Sequence, residues 1–255
     1  MRVIPSLALR ADDISEVMDS PDCDAERLRN TYSYFRYVNA VLSGWRLTYR
    51  RDIRPALSPD RMSTLLDIGT GGGDVARSLS RWARHDRLRL SITAIDPDAR
   101  AHEFTASQPA LPGLTFRTEL SSDLVARGER FDFVISNHVL HHLSAEQLGA
   151  LLVDSERLCR QQVLHSDIER SLWGYVGFGL GTWPLFRDSY IREDGLTSIR
   201  RSFTAGELRA GLRFLEGVGD AGDLEGVGDA RGWYVTREVP SRLMLRWQNP
   251  GHHDA

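Results

Sequence analysis

The stretch Ser63-Thr64-Leu65-Leu66-Asp67-Ile68-Gly69-Thr70-Gly71-Gly72-Gly73-Asp74 constrains this chain more than any other. Leu65 to Ile68 is a short apolar run of the kind that forms a buried parallel strand. It runs straight into a glycine turn. Asp74 and the following Val75-Ala76-Arg77-Ser78-Leu79 then start a helix. Strand, glycine turn and helix in that order point backbone N–H groups at a ligand beyond the strand ends of an α/β sheet.

The glycine spacing narrows the ligand. A dinucleotide site asks for Gly-x-Gly-x-x-Gly. Here the glycines are Gly69, Gly71 and Gly73, and Asp74 stands where the last glycine would fall. A carboxylate at that helix start competes with a pyrophosphate. A nucleoside with a cationic tail and no phosphate, such as S-adenosylmethionine, meets no such conflict, and a nicotinamide-dependent reductase is disfavoured on the same ground.

Downstream, strands and helices alternate. Leu88 to Ile95 reads as the second strand and ends at Asp96-Pro97-Asp98. An acidic residue at the end of that strand is the expected partner of a ribose diol, so Asp96 is assigned to the ribose and Asp98 to the cap of the next helix. Leu114 to Arg117 is a third strand, and Glu119, Leu120 and Ser121 fall where an adenine amino group is met. Phe131 to Asn137 is a fourth strand, leaving through His138-Val139-Leu140-His141-His142. Ser144 with Glu146 and Gln147 caps a helix running to Arg160, which places Cys159 on that helix as a buried free thiol. Val163 to Asp167 is a fifth strand. Alternation of this length means a parallel, doubly wound sheet. Trp233 to Val239 and Arg242 to Trp247, joined at Pro240-Ser241, form an antiparallel hairpin.

Three other regions surround this core. From Ala25 to Tyr49, Leu28, Tyr32, Phe35, Val38, Leu42 and Trp45 recur at helical spacing after a cap at Asp22 or Asp24, with a break near Ser43-Gly44. Residues 1–60 are thus expected to form a helical unit ahead of a core at 61–255, either packed on it or closing over a ligand. Residues 168–203 hold an insertion with Trp173, Tyr175, Phe178, Trp183 and Phe186 among glycines, which argue against a simple stable helix. It covers an apolar small molecule or packs on a second copy. Thr204 and Glu207 cap a later helix. Glu216-Gly217-Val218-Gly219-Asp220-Ala221 recurs as Glu225-Gly226-Val227-Gly228-Asp229-Ala230, a loop lacking the carboxylate set of a calcium site.

Composition excludes some partners. The net charge is -3, which offers nothing to attract nucleic acid. No apolar run reaches membrane-span length, and no signal-peptide core opens the chain, so a cytoplasmic protein is expected. Cys23 and Cys159 alone make neither a disulfide framework nor a metal set.

Leu66 to Asp74, Ile95 to Asp98 and Phe131 to Leu143 together resemble the class I S-adenosylmethionine-dependent methyltransferases, nearest to the bacterial quinone-biosynthesis and polyketide-tailoring group. The resemblance covers about residues 27–247. It implies an α/β fold with a mostly parallel seven-stranded sheet, a C-terminal antiparallel hairpin and an N-terminal helical lid. It implies cofactor contacts at Asp67, Gly69, Thr70, Gly71, Asp96, Pro97, Leu120, Ser121 and Asn137. The third-strand region departs from the group, where Gly-Asp-Ala is usual. The implied reaction is O-methylation of a small aromatic, phenolic or hydroxyquinone acceptor. C-methylation and a non-catalytic S-adenosylmethionine-binding partner protein are the alternatives. The strand-four exit, Ser136-Asn137-His138-Val139, is not the motif of amino-methylating DNA enzymes. His165, His142 and His138 are the candidate bases, with His141 beside them, because they lie at the ends of strands four and five. Asp167 is placed to orient one of them. No metal-ligand spacing stands out, so metal-independent chemistry is expected. A homodimer is compatible with the aromatic residues of the end regions.

Overall fold

The computed structural model describes residues 5–183, 185–215 and 232–250, without the side chains of 214 and 215. The duplicated glycine-aspartate segment lies outside them. Among the described residues, seven strands form one sheet in the order β3-β2-β1-β4-β5-β7-β6. They are β1 (Ser63–Ile68), β2 (Leu90–Ile95), β3 (Leu114–Arg117), β4 (Phe131–Asn137), β5 (Cys159–Ile168), β6 (Trp233–Glu238) and β7 (Arg242–Gln248). β1 to β5 run parallel, and β7 is antiparallel to both β5 and β6. This is the doubly wound sheet with terminal hairpin that the sequence implied.

Helices cover both faces. α1 (Ala25–Leu42) starts at Asp24, whose carboxylate accepts from Arg27 N–H. It stops at Gly44, where φ is +61°, a conformation that costs a side chain about 1–2 kcal/mol. α2 (Trp45–Thr48) and a π-helical turn (Tyr49–Ile53) follow. Trp45, Tyr49 and Ile53 from this connection pack in the same core as Leu65, Leu79 and Phe133. α3 (Asp74–His85) leaves the glycine turn, and α4 (Ala99–Ala106) starts under an Asp98 cap. α5 (Ser121–Ala126) packs on α6 (Ala145–Leu158), which opens with a Ser144–Gln147 capping box. α6 passes directly into β5, so Cys159 begins the strand instead of ending the helix, and its buried thiol faces the Asp132 carbonyl.

The insertion departs from its expected form. α7 (Leu172–Gly181) is helical despite its glycines, and α8 (Ile191–Arg201) packs against it. Ser171 caps α7 by accepting from Gly174 N–H. The Phe178 ring lies so close to Gly195 of α8 that a side chain there would collide with it. Tertiary packing outweighs the poor helix propensity of glycine. α9 (Ala205–Leu215) follows the expected Thr204–Glu207 cap. No helix among the described residues is long and apolar enough to cross a membrane.

Parallel register lines up the carboxyl ends of the central strands. Ile68 lies beside Ile95 and Ser136, and Ser136 beside His165. Everything leaving those ends therefore meets along one edge.

Candidate active site

The β1 exit makes the turn with three glycines at positive φ: Gly69 at +69°, Gly71 at +52° and Gly73 at +74°. Gly73 has no room for a side chain, because a Cβ would sit 2.6 Å from the Phe116 ring. Gly71 is different. A Cβ there would meet only the Tyr32 ring, at 3.9 Å, so this point faces comparatively open space.

Three carboxylates converge on the turn. Asp67, in β1, is buried and accepts from Thr70 Oγ1 at 2.8 Å. Burial, opposed by the Thr70 hydrogen bond and reinforced by Asp74 and Asp96, pushes its pKa up to about 7. Asp74 accepts from Asn39 Nδ2 of α1 at 3.0 Å, and burial raises its pKa as well. Asp96 accepts from Gly71 N–H at 2.8 Å and from Asp98 N–H at 2.9 Å, and burial again raises its pKa. Among the described residues no arginine pairs with any of the three. Pro97 is exposed beside Asp96.

The adenine candidates divide. Ser121 Oγ donates to Asp154 of α6 at 2.7 Å, so this hydroxyl joins two helices. Leu120 is exposed at the start of α5. At the β4 exit, Asn137 Oδ1 accepts from Trp45 Nε1 at 2.9 Å, tying α2 to the strand end. His138 follows at φ +59°, a strained conformation for a non-glycine residue. Its ring has no hydrogen-bond partner among the described residues, and burial lowers its pKa to about 4. The imidazole is neutral at physiological pH.

The expectation for His165 requires correction. β5 runs on to Ile168, so His165 lies within the strand and not at its end. The ring is wholly buried against α6, with Ser136 Oγ at 2.8 Å from Nδ1, Ser155 Oγ at 3.1 Å from Nε2, and Trp233 stacked 5.8 Å away. It is a satisfied core histidine, and burial lowers its pKa to about 3.

Of the histidines at these strand exits, His141 is the one that Asp167 orients. Its Nδ1 lies 2.7 Å from Asp167 Oδ1, and its backbone N–H donates to Asp167 Oδ2. Its Nε2 lies 3.2 Å from Glu16 Oε1. Burial opposes a charge on this ring, but Asp167 and Glu16 outweigh it and hold the pKa well above the usual imidazole range. His142 stays half-buried, with Nδ1 3.2 Å from Asp19 Oδ2 and Nε2 3.7 Å from Glu16 Oε1. Sequence reasoning anticipated Asp167 as an orienting group but not Glu16, which lies in no motif.

Elements ahead of β1 cover this edge. Tyr32 of α1 lies against Gly72 and Phe104. Arg100 of α4 donates to the Met18 and Ser20 carbonyls, and Asp194 of α8 accepts from Val17 and Met18 N–H. On the other side, Arg242 of β7 donates to Ser166 Oγ and packs against Gly44, with its Nε buried and without a hydrogen-bond partner among the described residues.

This fold and site define the class. A family model described as a methyltransferase domain matches residues 35–201, well over half of the chain, and the protein belongs to that family. A ubiquinone biosynthesis O-methyltransferase of Methylobacterium sp. strain 4-46 is 34% identical over 113 residues, covering 39% of this chain and 41% of that protein. The enzyme of the same description from Cereibacter sphaeroides strain ATCC 17025 / ATH 2.4.3 is 34% identical over 116 residues, 43% of this chain and 42% of its own length. The chain thus spans about two fifths of the length of the curated relatives it matches. Among solved structures, the plantazolicin methyltransferase BpumL in complex with a monoazolic desmethylPZN analog and SAH aligns with TM-score 0.53 at 12% identity, covering 88% of this chain and 86% of that one. The DszA carbon methyltransferase aligns with TM-score 0.55 at 16% identity, covering 93% of this chain and 61% of that one. These two likenesses show the shared fold.

Proposed function

We propose that the protein is an S-adenosylmethionine-dependent methyltransferase acting on the hydroxyl of a small aromatic, phenolic or hydroxyquinone-type acceptor. The carboxylate set around the glycine turn carries this reading. Asp67, Asp74 and Asp96 crowd one turn, burial raises the cost of ionising each, Asp74 and Asp96 add to that cost at Asp67, and no arginine among the described residues pairs with them. Such a cradle repels a pyrophosphate and suits a ligand that brings positive charge. The curated relatives described as O-methyltransferases support oxygen as the acceptor atom.

Asp96 takes the ribose diol: each of its oxygens accepts one backbone N–H and keeps a second lone pair free. The Gly69 to Gly71 backbone lines the nucleoside tail, and Asn137 closes the site at the β4 exit. S-adenosylmethionine, when bound, supplies a methyl group activated by its sulfonium. Displacement then demands little beyond alignment, with the acceptor oxygen held about 3–3.5 Å from the methyl carbon. His138, neutral and with no hydrogen-bond partner among the described residues, accepts the proton of the acceptor hydroxyl. α1 and the segment before it act as a lid that excludes water.

Transfer of a tritiated methyl group from S-adenosylmethionine to a panel of phenols and hydroxyquinones tests the proposal. Label on a hydroxyl oxygen is expected, with turnover by His138→Ala reduced about 100-fold and cofactor affinity retained. Cofactor binding without transfer to any acceptor would make the chain a binding protein. Label on ring carbon would make it a C-methyltransferase.

A further inference from the structure

Glu16, His141 and His142 share an arrangement that the proposed methyl transfer does not use. Glu16 Oε1 faces two imidazole nitrogens, His141 Nε2 at 3.2 Å and His142 Nε2 at 3.7 Å. One ligand atom from each of the three residues lies within 4.8 Å of the other two. For a tetrahedral ion bound through nitrogen and oxygen at about 2.0–2.1 Å, adjacent ligand atoms stand about 3.3 Å apart. The two nitrogen-to-oxygen separations bracket that value.

The surrounding shell is equally specific. Each histidine has its other ring nitrogen on a carboxylate: His141 Nδ1 on Asp167 at 2.7 Å, and His142 Nδ1 on Asp19 at 3.2 Å. Those contacts fix both rings with Nε2 turned toward Glu16. Carboxylates behind ligating histidines orient the rings and raise their basicity at metal sites. Ser198 Oγ donates to the same Glu16 oxygen at 2.6 Å and holds it in place. Glu16 and His141 are 5% and 1% exposed, whereas the His142 side chain is 31% exposed. One side of the trio is therefore open to solvent, which provides an entry path and a fourth coordination position.

We propose that Glu16, His141 and His142 form a binding site for a divalent first-row transition-metal ion, with zinc the best match to two imidazoles and one carboxylate. The site joins two parts of the chain far apart in sequence. Glu16 and Asp19 come from the N-terminal segment, and both histidines come from the β4 exit. A bound ion clasps that segment over the strand ends. Bound this way, the metal sits at the covered edge of the sheet with its open position toward solvent.

The test measures metal and not turnover, so its outcome is separate from that of the methyl-transfer assay. The full chain is used, with His252→Ala and His253→Ala introduced so that the C-terminal histidine pair contributes nothing. After exposure to zinc and exhaustive dialysis, about one equivalent of zinc is expected by elemental analysis. Cobalt substitution is expected to give the visible absorption of a four-coordinate site, and added zinc to raise the melting temperature. Glu16→Gln and His142→Ala should each abolish retention, while Asp19→Asn weakens binding about 10–100-fold. His102→Ala, on α4, should leave binding unchanged. Circular dichroism establishes that each variant is folded, and Asp19→Asn keeps the proposal testable if a ligand variant is not. A folded wild-type background that retains no zinc and shows no cobalt spectrum would overturn the proposal and leave a metal-free imidazolium clamp. Retention unaffected by His142→Ala would overturn it as adventitious binding.

Discussion

His138 and His165 have opposite environments, although the sequence offers both as candidate bases. His138 leaves β4 at positive φ, and its ring has no hydrogen bond among the described residues. His165 sits within β5, its two nitrogens on Ser136 and Ser155. The difference comes from where β5 stops, and period-two alternation does not mark a strand's last residue. Burial of His165 also makes a pH prediction. Its folded pKa, about 3, lies below the ordinary value of 6.5. Between these values the unfolded chain binds the proton and the folded chain does not. Stability is therefore full above pH 6.5 and is lost as pH falls toward 3, by at most about 1.4 kcal/mol per pH unit from this residue. His165→Gln keeps a donor and an acceptor for the two serines and removes the titration. Urea unfolding of wild type and variant from pH 7 to pH 4 should show a shallower acid loss in the variant. Equal slopes would contradict the account.

At the scale of elements, local signals with a chemical mechanism were legible. The glycine turn, the caps at Asp24, Asp98, Ser144 and Thr204, and the terminal hairpin all stand where the sequence put them. Signals that depend on a distant partner were not legible. α7 is helical because Phe178 packs onto Gly195, a residue that no local window connects to it. The glycine turn itself makes an element-level prediction. Gly73→Ala meets both a positive φ and the Phe116 ring, and should destabilise by about 1–3 kcal/mol. Gly128→Ala has a similar φ, +68°, but nothing within 4 Å of the added carbon. It should cost only the backbone part. Thermal melts of the two variants separate packing from conformation, and equal losses would deny Phe116 its role against the turn.

Across the whole molecule, the fold was readable because alternating strands and helices permit few topologies. The site was half readable. Asp67, Gly71 and Asp96 come together as expected, since they leave adjacent parallel strands. Leu120 and Ser121 do not join them in any hydrogen bond, and Ser121 is held by Asp154 instead. Glu16 escaped notice because it reaches His141 across 125 residues of chain. The N-terminal segment is bound to α8 through Asp194 and Ser198, to α4 through Arg100 and to the β4 exit through Glu16, and α1 meets the residue before α8 where Thr31 Oγ1 accepts from Tyr190 N–H. Contacts of this kind cover the strand ends only in the folded whole.

The central claim is that the carboxylate-lined turn holds S-adenosylmethionine, and calorimetric titration with that ligand tests it most directly. The account predicts one site on the wild-type protein, no heat with NADH, and an affinity about 1–3 kcal/mol weaker in Asp96→Ala, the cost of a lost charged hydrogen bond. Absence of binding by the folded protein, or an Asp96→Ala dissociation constant equal to that of wild type, would contradict it.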